Sequence, residues 1–286
     1  MSSTKPTLIA ITLLAALAAF FMLAPTPEQK GSPESELVSG VVENRRGHDV
    51  RYVVYLPAGY RQGNEKYPVL YLFHGYGGDE TAWSNAEKGR MQEICDRYFD
   101  AKPERKRIVV MPDARDTWYR NVYNSNDQYE TFFFKKFVPK IERKFRCKTD
   151  RADRAVAGLS MGGYGTLLYA LRHPDKFSAA YAMSPDSIHE IWLPNCGENQ
   201  PDARQAYADE NNVLQLLDKA QDKNAVRFTI DCGDDDFCLP GACEFFHTAR
   251  ELDIPCELRV RDGGHTWDYW RDSLPKALDF VSGDAP

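Results

Sequence analysis

Residues 157–165 read AGLSMGGYG, which sets Ser160 between Gly158 and Gly162 in the pattern G-x-S-x-G. On its own the pattern is a common accident of composition, because glycine and serine are both abundant residues. It acquires meaning from its flanks. Before it, RAVAGL (154–159) is apolar from Ala155 onward and of strand length. After it, GGYGTLLYALRHP carries apolar residues at helical spacing until His173-Pro174 stops it. Ser160 therefore falls on a strand-to-helix turn, with glycines giving room for the bend. The helix start behind it supplies free N–H groups and the positive end of a dipole, both suited to developing negative charge.

Working outward, strand-like runs begin at residues 51 (RYVVYL), 68 (PVLYLF), 107 (RIVVM), 154, 178 (SAAYAM), 227 (RFTID) and 257 (ELRVR). Helix-like segments separate them at 86–100, 127–146, 162–172, 240–252 and 273–282. Alternation of this kind predicts an α/β protein with a mostly parallel sheet and helices on both faces. The first one or two strands are expected to form an antiparallel edge. Residues 185–225 break the rhythm, with no strand and one amphipathic helix near their end. They read as an insertion above the C-terminal strand edge, where ligands bind in such sheets.

A serine hydroxyl needs a base to take its proton, and the base needs an acid to orient it. Of six histidines, His173 stops a helix, His247 lies inside one, His48 is on a polar turn and His189 is in the insertion. His74, in the loop HGYGG, precedes Ser160 and is expected to brace that loop. His265, in RDGGHTWDYW after the last strand, completes the order Ser–acid–His. The acid should follow the penultimate strand, where CGDDDF offers Asp234, Asp235 and Asp236, with Asp231 just upstream; spacing does not choose among the first three. The run lacks the alternation and distal glutamate of a calcium loop. Two backbone donors are needed for an oxyanion, and the pattern points to the N–H groups of Met161 and Tyr76, the second carried by the glycine-rich loop at 74–78.

Taken together, YPVLYLFHGYGG, VVMPDARDTWYRN, AGLSMGGYGTLLYALRHPDKF, DCGDDDF and GGHTWDYW resemble the esterase D-like family of α/β-hydrolases over roughly residues 40–283. That family includes feruloyl and acetyl-xylan esterases, S-formylglutathione hydrolases and mycolyltransferases. The resemblance implies that Asp236 is the acid, since C-G-x-x-D falls on Cys232, Gly233 and Asp236. It places H-x-W-x-x-W on His265, Trp267 and Trp270, and it sets Trp118 and Tyr119 at the site rim, making Trp118, Tyr119 and Trp267 candidate substrate contacts. It implies a serine carboxylesterase working through an acyl-enzyme, without a cofactor or metal, on a small-molecule or polysaccharide ester. Acetyl and feruloyl esters of polysaccharide are the expected substrates. The alternatives are an acyltransferase using the same residues and an S-formylglutathione hydrolase-like thioesterase.

Bulk properties bound the partners. The 286 residues carry 42 acidic and 36 basic side chains, a formal net charge of −6. That balance gives no electrostatic reason to expect nucleic acid or anionic lipid as partners. Lys5 followed by the uncharged run LIAITLLAALAAFFMLA (8–24) reads as an export signal, with cleavage after Ala18 or Ala24, or else as an uncleaved membrane anchor. Residues 25–37 read as a flexible linker and 38–286 as one catalytic domain. Seven cysteines in an exported chain suggest either one or two disulfides among Cys232, Cys238, Cys243 and Cys256 or buried thiols; Cys95, Cys147 and Cys196 are the others. Their spacings fit no common zinc set.

Overall fold

A computed structural model describes residues 34–45, 47–186, 188 and 201–283. The segment read as an export signal or anchor, most of the linker, His189 and Cys196 lie outside the described residues. Among the described residues no helix is long and apolar enough to cross a membrane.

Ser35–Pro286 makes one compact unit built on an eight-stranded sheet of order β1-β2-β4-β3-β5-β6-β7-β8. The strands are β1 Glu36–Val42, β2 Val50–Leu56, β3 Val69–Phe73, β4 Ile108–Pro112, β5 Arg154–Leu159, β6 Ala179–Met183, β7 Arg227–Gly233 and β8 Cys256–Arg261. Strands β3 to β8 pair in parallel, and β1–β2 and β2–β4 are antiparallel. The antiparallel edge is thus the strand at 50–56 with β1, while PVLYLF belongs to the parallel set. Strand β1 is absent from the sequence expectation, and its Glu36 and Leu37, paired with Leu56 and Tyr55, fall inside the span read as linker. ELVSGVV is only half-buried at the sheet edge, so it lacks the apolar continuity that marks the central strands.

Along β3 the side chains alternate between two cores. Leu70 and Leu72 pack with helices α1 (Met91–Ala101) and the C-terminal helix Trp267–Val281, through residues such as Cys95, Phe99, Leu274 and Leu278. Val69, Tyr71 and Phe73 pack on the other face with Phe133, Ile141, Leu167 and Phe245. On that face lie α2 (Tyr129–Phe132), a π-helical turn Phe133–Phe137, α3 (Val138–Lys144), α4 (Met161–Arg172) and α7 (Leu239–Glu251). The π turn sits just before Pro139, which has no N–H to give to the carbonyl four residues back, so the ladder widens there.

The insertion contributes two helices among its described residues, α5 (Pro201–Asn211) and α6 (Val213–Asp218), where sequence predicts one. PDARQAYADEN has no apolar stripe to announce a helix. It is pinned by polar contacts: Tyr164 Oη donates to the Asn211 carbonyl at 2.7 Å, and Tyr207 Oη donates to that of Asn121 at 2.8 Å. The helix Trp267–Val281, α8, begins six residues before the segment read as helical at 273. Thr266 caps it by accepting from Tyr269 N, a cap hidden within the GGHTW loop.

Candidate active site

Strand β5 ends at Leu159 and α4 begins at Met161, leaving Ser160 as the turn residue with φ 54° and ψ −119°. That backbone region costs a non-glycine residue on the order of 1–3 kcal/mol. The surroundings hold it in place. Ser160 N donates to the Met183 carbonyl on β6 at 2.9 Å, and its own carbonyl accepts from Tyr164 N at 3.0 Å. Gly158 and Gly162 are required by close approach: a Cβ on Gly162 would lie 2.6 Å from the His74 carbonyl oxygen, and one on Gly158 would lie 2.4 Å from that of Gly162.

Three elements converge on the hydroxyl. His265, in the loop between β8 and α8, places Nε2 at 2.9 Å from Ser160 Oγ. Its Nδ1 lies 3.0 Å from each oxygen of Asp236, in the loop after β7. Nδ1 therefore carries the proton it donates to the carboxylate, which leaves Nε2 free to accept from the serine. Burial pushes the Asp236 carboxyl up, but hydrogen bonds from His265, Cys238 N–H and the Ser184 hydroxyl outweigh it and hold the carboxyl below its ordinary value. The other candidate acids are elsewhere. Asp234 accepts from Gly263 N at 3.0 Å and so shapes the turn before His265. Asp235 is exposed, and Asp231 is buried beneath the site, where it accepts from Tyr181, Tyr269 and Arg261.

Two residues under the acid were not singled out from sequence for this role. Ser184, buried and with φ 43°, accepts from Trp270 Nε1 at 3.0 Å while its hydroxyl bonds Asp236. Trp270 also stands edge-on to the His265 ring, with centroids 4.9 Å apart and planes at 87°. The signal was faint because Ser184 follows the apolar run of β6 and its partner lies 86 residues away.

The loop at 74–78 approaches Ser160 from the other side. A Cβ on Gly75 would lie 2.7 Å from Leu159 Cδ1 and 3.3 Å from Ser160 Cβ, so backbone alone fits there. Met161 is the first residue of α4, a position whose N–H has no intrahelical partner; Tyr76 N–H is carried by the adjoining loop. Buried His74 donates from Nδ1 to the Gly75 carbonyl at 2.8 Å and accepts at Nε2 from Ala114 N at 2.9 Å. Burial lowers its pKa, and as a neutral ring with both nitrogens occupied it braces the loop.

A groove of about 880 Å³ opens over Ser160 and His265. Tyr76, Trp118, Trp267 and Phe237 are among the residues that line it, together with Lys88 and Asp186. Phe237, 67% exposed with its ring centroid 4.5 Å from that of His265, follows the aspartates with no sequence pattern to mark it. Tyr119 is not on the groove wall and its expected role as a substrate contact is corrected. It is fully buried, stacked on Phe73 at 4.3 Å, and its hydroxyl donates to the His74 carbonyl at 2.9 Å. It supports the loop from beneath.

Of the two readings of the cysteines, the structure shows thiols, with no disulfide among the described residues. Cys95, Cys147, Cys232, Cys238, Cys243 and Cys256 are free thiols. On the paired strands β7 and β8, Cys232 faces Val260 whereas Cys256 faces Phe228. That offset of four residues separates the two by about 13 Å, far beyond disulfide reach.

Comparison with known proteins identifies the family and the fold. The Esterase family matches residues 44–281. An acetyl esterase of Caldicellulosiruptor saccharolyticus is 26% identical over 240 residues, 77% of this chain and 85% of its own length. An endo-1,4-beta-xylanase/feruloyl esterase of Xylanibacter ruminicola is 37% identical over 131 residues, 43% of this chain and 18% of its own length. Among solved structures, a ferulic acid esterase superposes with a TM-score of 0.74 at 36% identity, covering 87% of this chain and 98% of its own. An S-formylglutathione hydrolase of Staphylococcus aureus shares the fold, with a TM-score of 0.71 at 23% identity, covering 87% of this chain and all of its own. The chain belongs to the Esterase family, within the esterase D-like α/β-hydrolases, and is a carboxylic ester hydrolase.

Proposed function

We propose that the chain is an exported serine carboxylesterase that cleaves acyl esters on carbohydrate, acetyl or feruloyl, through an acyl-enzyme. The observation that carries the chemistry is the 2.9 Å contact of His265 Nε2 with Ser160 Oγ, backed by Asp236 at 3.0 Å from Nδ1. His265 takes the serine proton as Oγ attacks the ester carbonyl, and Asp236 balances the imidazolium that forms. The Met161 and Tyr76 N–H groups receive the oxyanion. His265 then returns the proton to the departing alcohol, and water releases the acyl group by the same steps.

The aromatic groove favours flat ligands. Tyr76, Phe237 and Trp267 around Ser160 offer faces for an aryl acyl chain or for the apolar face of a sugar ring. The names of the related acetyl and feruloyl esterases support the same substrate class. Export rests on the apolar run at 8–24 behind Lys5. A panel of acetyl-xylan, methyl ferulate, S-formylglutathione and p-nitrophenyl acetate tests the reading. Higher kcat/KM on the first two than on the thioester is expected. Preference for S-formylglutathione would refute the carbohydrate assignment, and acyl transfer to an added sugar in place of hydrolysis would make the chain a transferase.

A further inference from the structure

The chemistry above gives the Cys238 side chain no task, yet its thiol lies against that chemistry. Its Sγ is 3.9 Å from His265 Nδ1, and its backbone N–H donates to Asp236 Oδ1 at 2.9 Å. One donor atom from each of Asp236, Cys238 and His265 falls within 4.8 Å of the other two. Carboxylate, thiol and imidazole are the donor types that zinc selects. Tetrahedral zinc, with bonds of about 2.0–2.1 Å to nitrogen and oxygen and 2.3 Å to sulfur, sets N···S near ~3.5 Å and N···O near ~3.4 Å. The corresponding separations here are 3.9 Å and 3.0 Å, each within about half an ångström of the zinc values, and the sulfur and carboxylate oxygen lie within 4.8 Å of each other. His265 lines the groove and is partly exposed, while Asp236 and Cys238 are buried behind it.

We propose that Asp236, Cys238 and His265 form an inhibitory site for zinc and similar thiophilic divalent cations. The proton balance explains the inhibition. Bonding to the metal requires the Nδ1 lone pair, so the neutral imidazole must carry its proton on Nε2. The Cys238 thiol gives its proton to solvent, one per ion bound. Nε2–H then faces Ser160 Oγ as a donor and has no lone pair with which to accept the serine proton. The inhibition rests on His265 acting as the base proposed above; the binding does not.

The test titrates metal-free protein with zinc chloride, following binding by calorimetry and rate with p-nitrophenyl acetate. One ion per chain is expected, with the rate falling in step and recovering on addition of a chelator. Ser160→Ala should bind zinc as tightly as the parent although it turns over nothing. Cys238→Ala should weaken binding and inhibition by about a hundred-fold. Cys238→Ser, which keeps the side-chain volume, should show a similar loss and so separate ligation from packing. Cys243→Ser, at an exposed thiol on α7, should match the parent. Cobalt in place of zinc should give a thiolate charge-transfer band that Cys238→Ala lacks. Unchanged zinc affinity in both Cys238 variants, or no binding to the parent, would overturn the site. Cys238-dependent binding without loss of rate would overturn the inhibition and count against His265 as the base.

Discussion

Replacing Asp236 by asparagine changes one atom and reverses one hydrogen bond. The carboxylate accepts from His265 Nδ1 at 3.0 Å and from Cys238 N at 2.9 Å. Asparagine can keep the second contact through its carbonyl oxygen, which turns its NH₂ toward Nδ1. The ring must then accept at Nδ1 and carry its proton on Nε2, the nitrogen 2.9 Å from Ser160 Oγ. Both the tautomer and the counter-charge to the imidazolium are lost. A loss of about 10⁴-fold in kcat is expected, equal to about 5.5 kcal/mol at 1.36 kcal/mol per decade. KM should stay within about two-fold because Asp236 is not among the groove-lining residues. A stability effect accompanies it. Because the native carboxyl is held below its ordinary value, ionised Asp236 stabilises the fold at neutral pH. That contribution disappears as pH falls below about 4 and through the native pKa. Asp236→Asn should therefore be less stable than the parent at pH 7, with the gap closing toward pH 3. Steady-state kinetics on p-nitrophenyl acetate and urea denaturation at the two pH values measure both effects. A variant within ten-fold of the parent rate, or an equal loss in Asp234→Asn or Asp235→Asn, would refute the assignment of the acid.

Four other substitutions probe separate parts of the site. Gly75→Ala sets a methyl 2.7 Å from Leu159 Cδ1 and should displace the Tyr76 N–H, cutting kcat by about 10²-fold with little change in KM. Ser184→Ala leaves Trp270 Nε1 without its acceptor and takes one of three donors from Asp236; kcat should fall about ten-fold, with Ser184→Thr recovering part of it. Tyr119→Phe should lower stability by about 1 kcal/mol in urea unfolding and leave KM unchanged, as befits a buried brace. Phe237→Ala, at the exposed rim, should raise KM for methyl ferulate by about ten-fold and leave kcat on p-nitrophenyl acetate near the parent value.

The parts of the fold legible in sequence are those where one physical signal dominates. RAVAGL and AAYAM are buried along their whole length, and their apolar continuity announces parallel strands. G-x-S-x-G is legible because sterics forbid other residues at Gly158 and Gly162, where an added Cβ would strike backbone. Legibility fails where position depends on tertiary contacts. Strand β1 is half-buried, and α5 is held by tyrosine hydroxyls and a helix-end arginine in place of an apolar stripe. The site divides in the same way. Chain order isolates His265, while Asp236 stands among three adjacent aspartates that spacing cannot separate. Their roles diverge only in three dimensions, where Asp234 turns to Gly263 N and Asp236 to His265. Tyr119 follows Trp118 in sequence, yet one lies beneath the loop and the other lines the groove. Both have positive φ, 56° for Trp118 and 58° for Tyr119, a backbone path that no residue pattern signals.

The most direct test of the central claim is covalent labelling with a fluorophosphonate followed by peptide mass spectrometry. A single adduct on Ser160 is expected, forming in step with loss of esterase activity, absent in Ser160→Ala and strongly slowed in His265→Ala. Labelling at another residue, or hydrolysis surviving in Ser160→Ala, would contradict the assignment of Ser160 as the nucleophile.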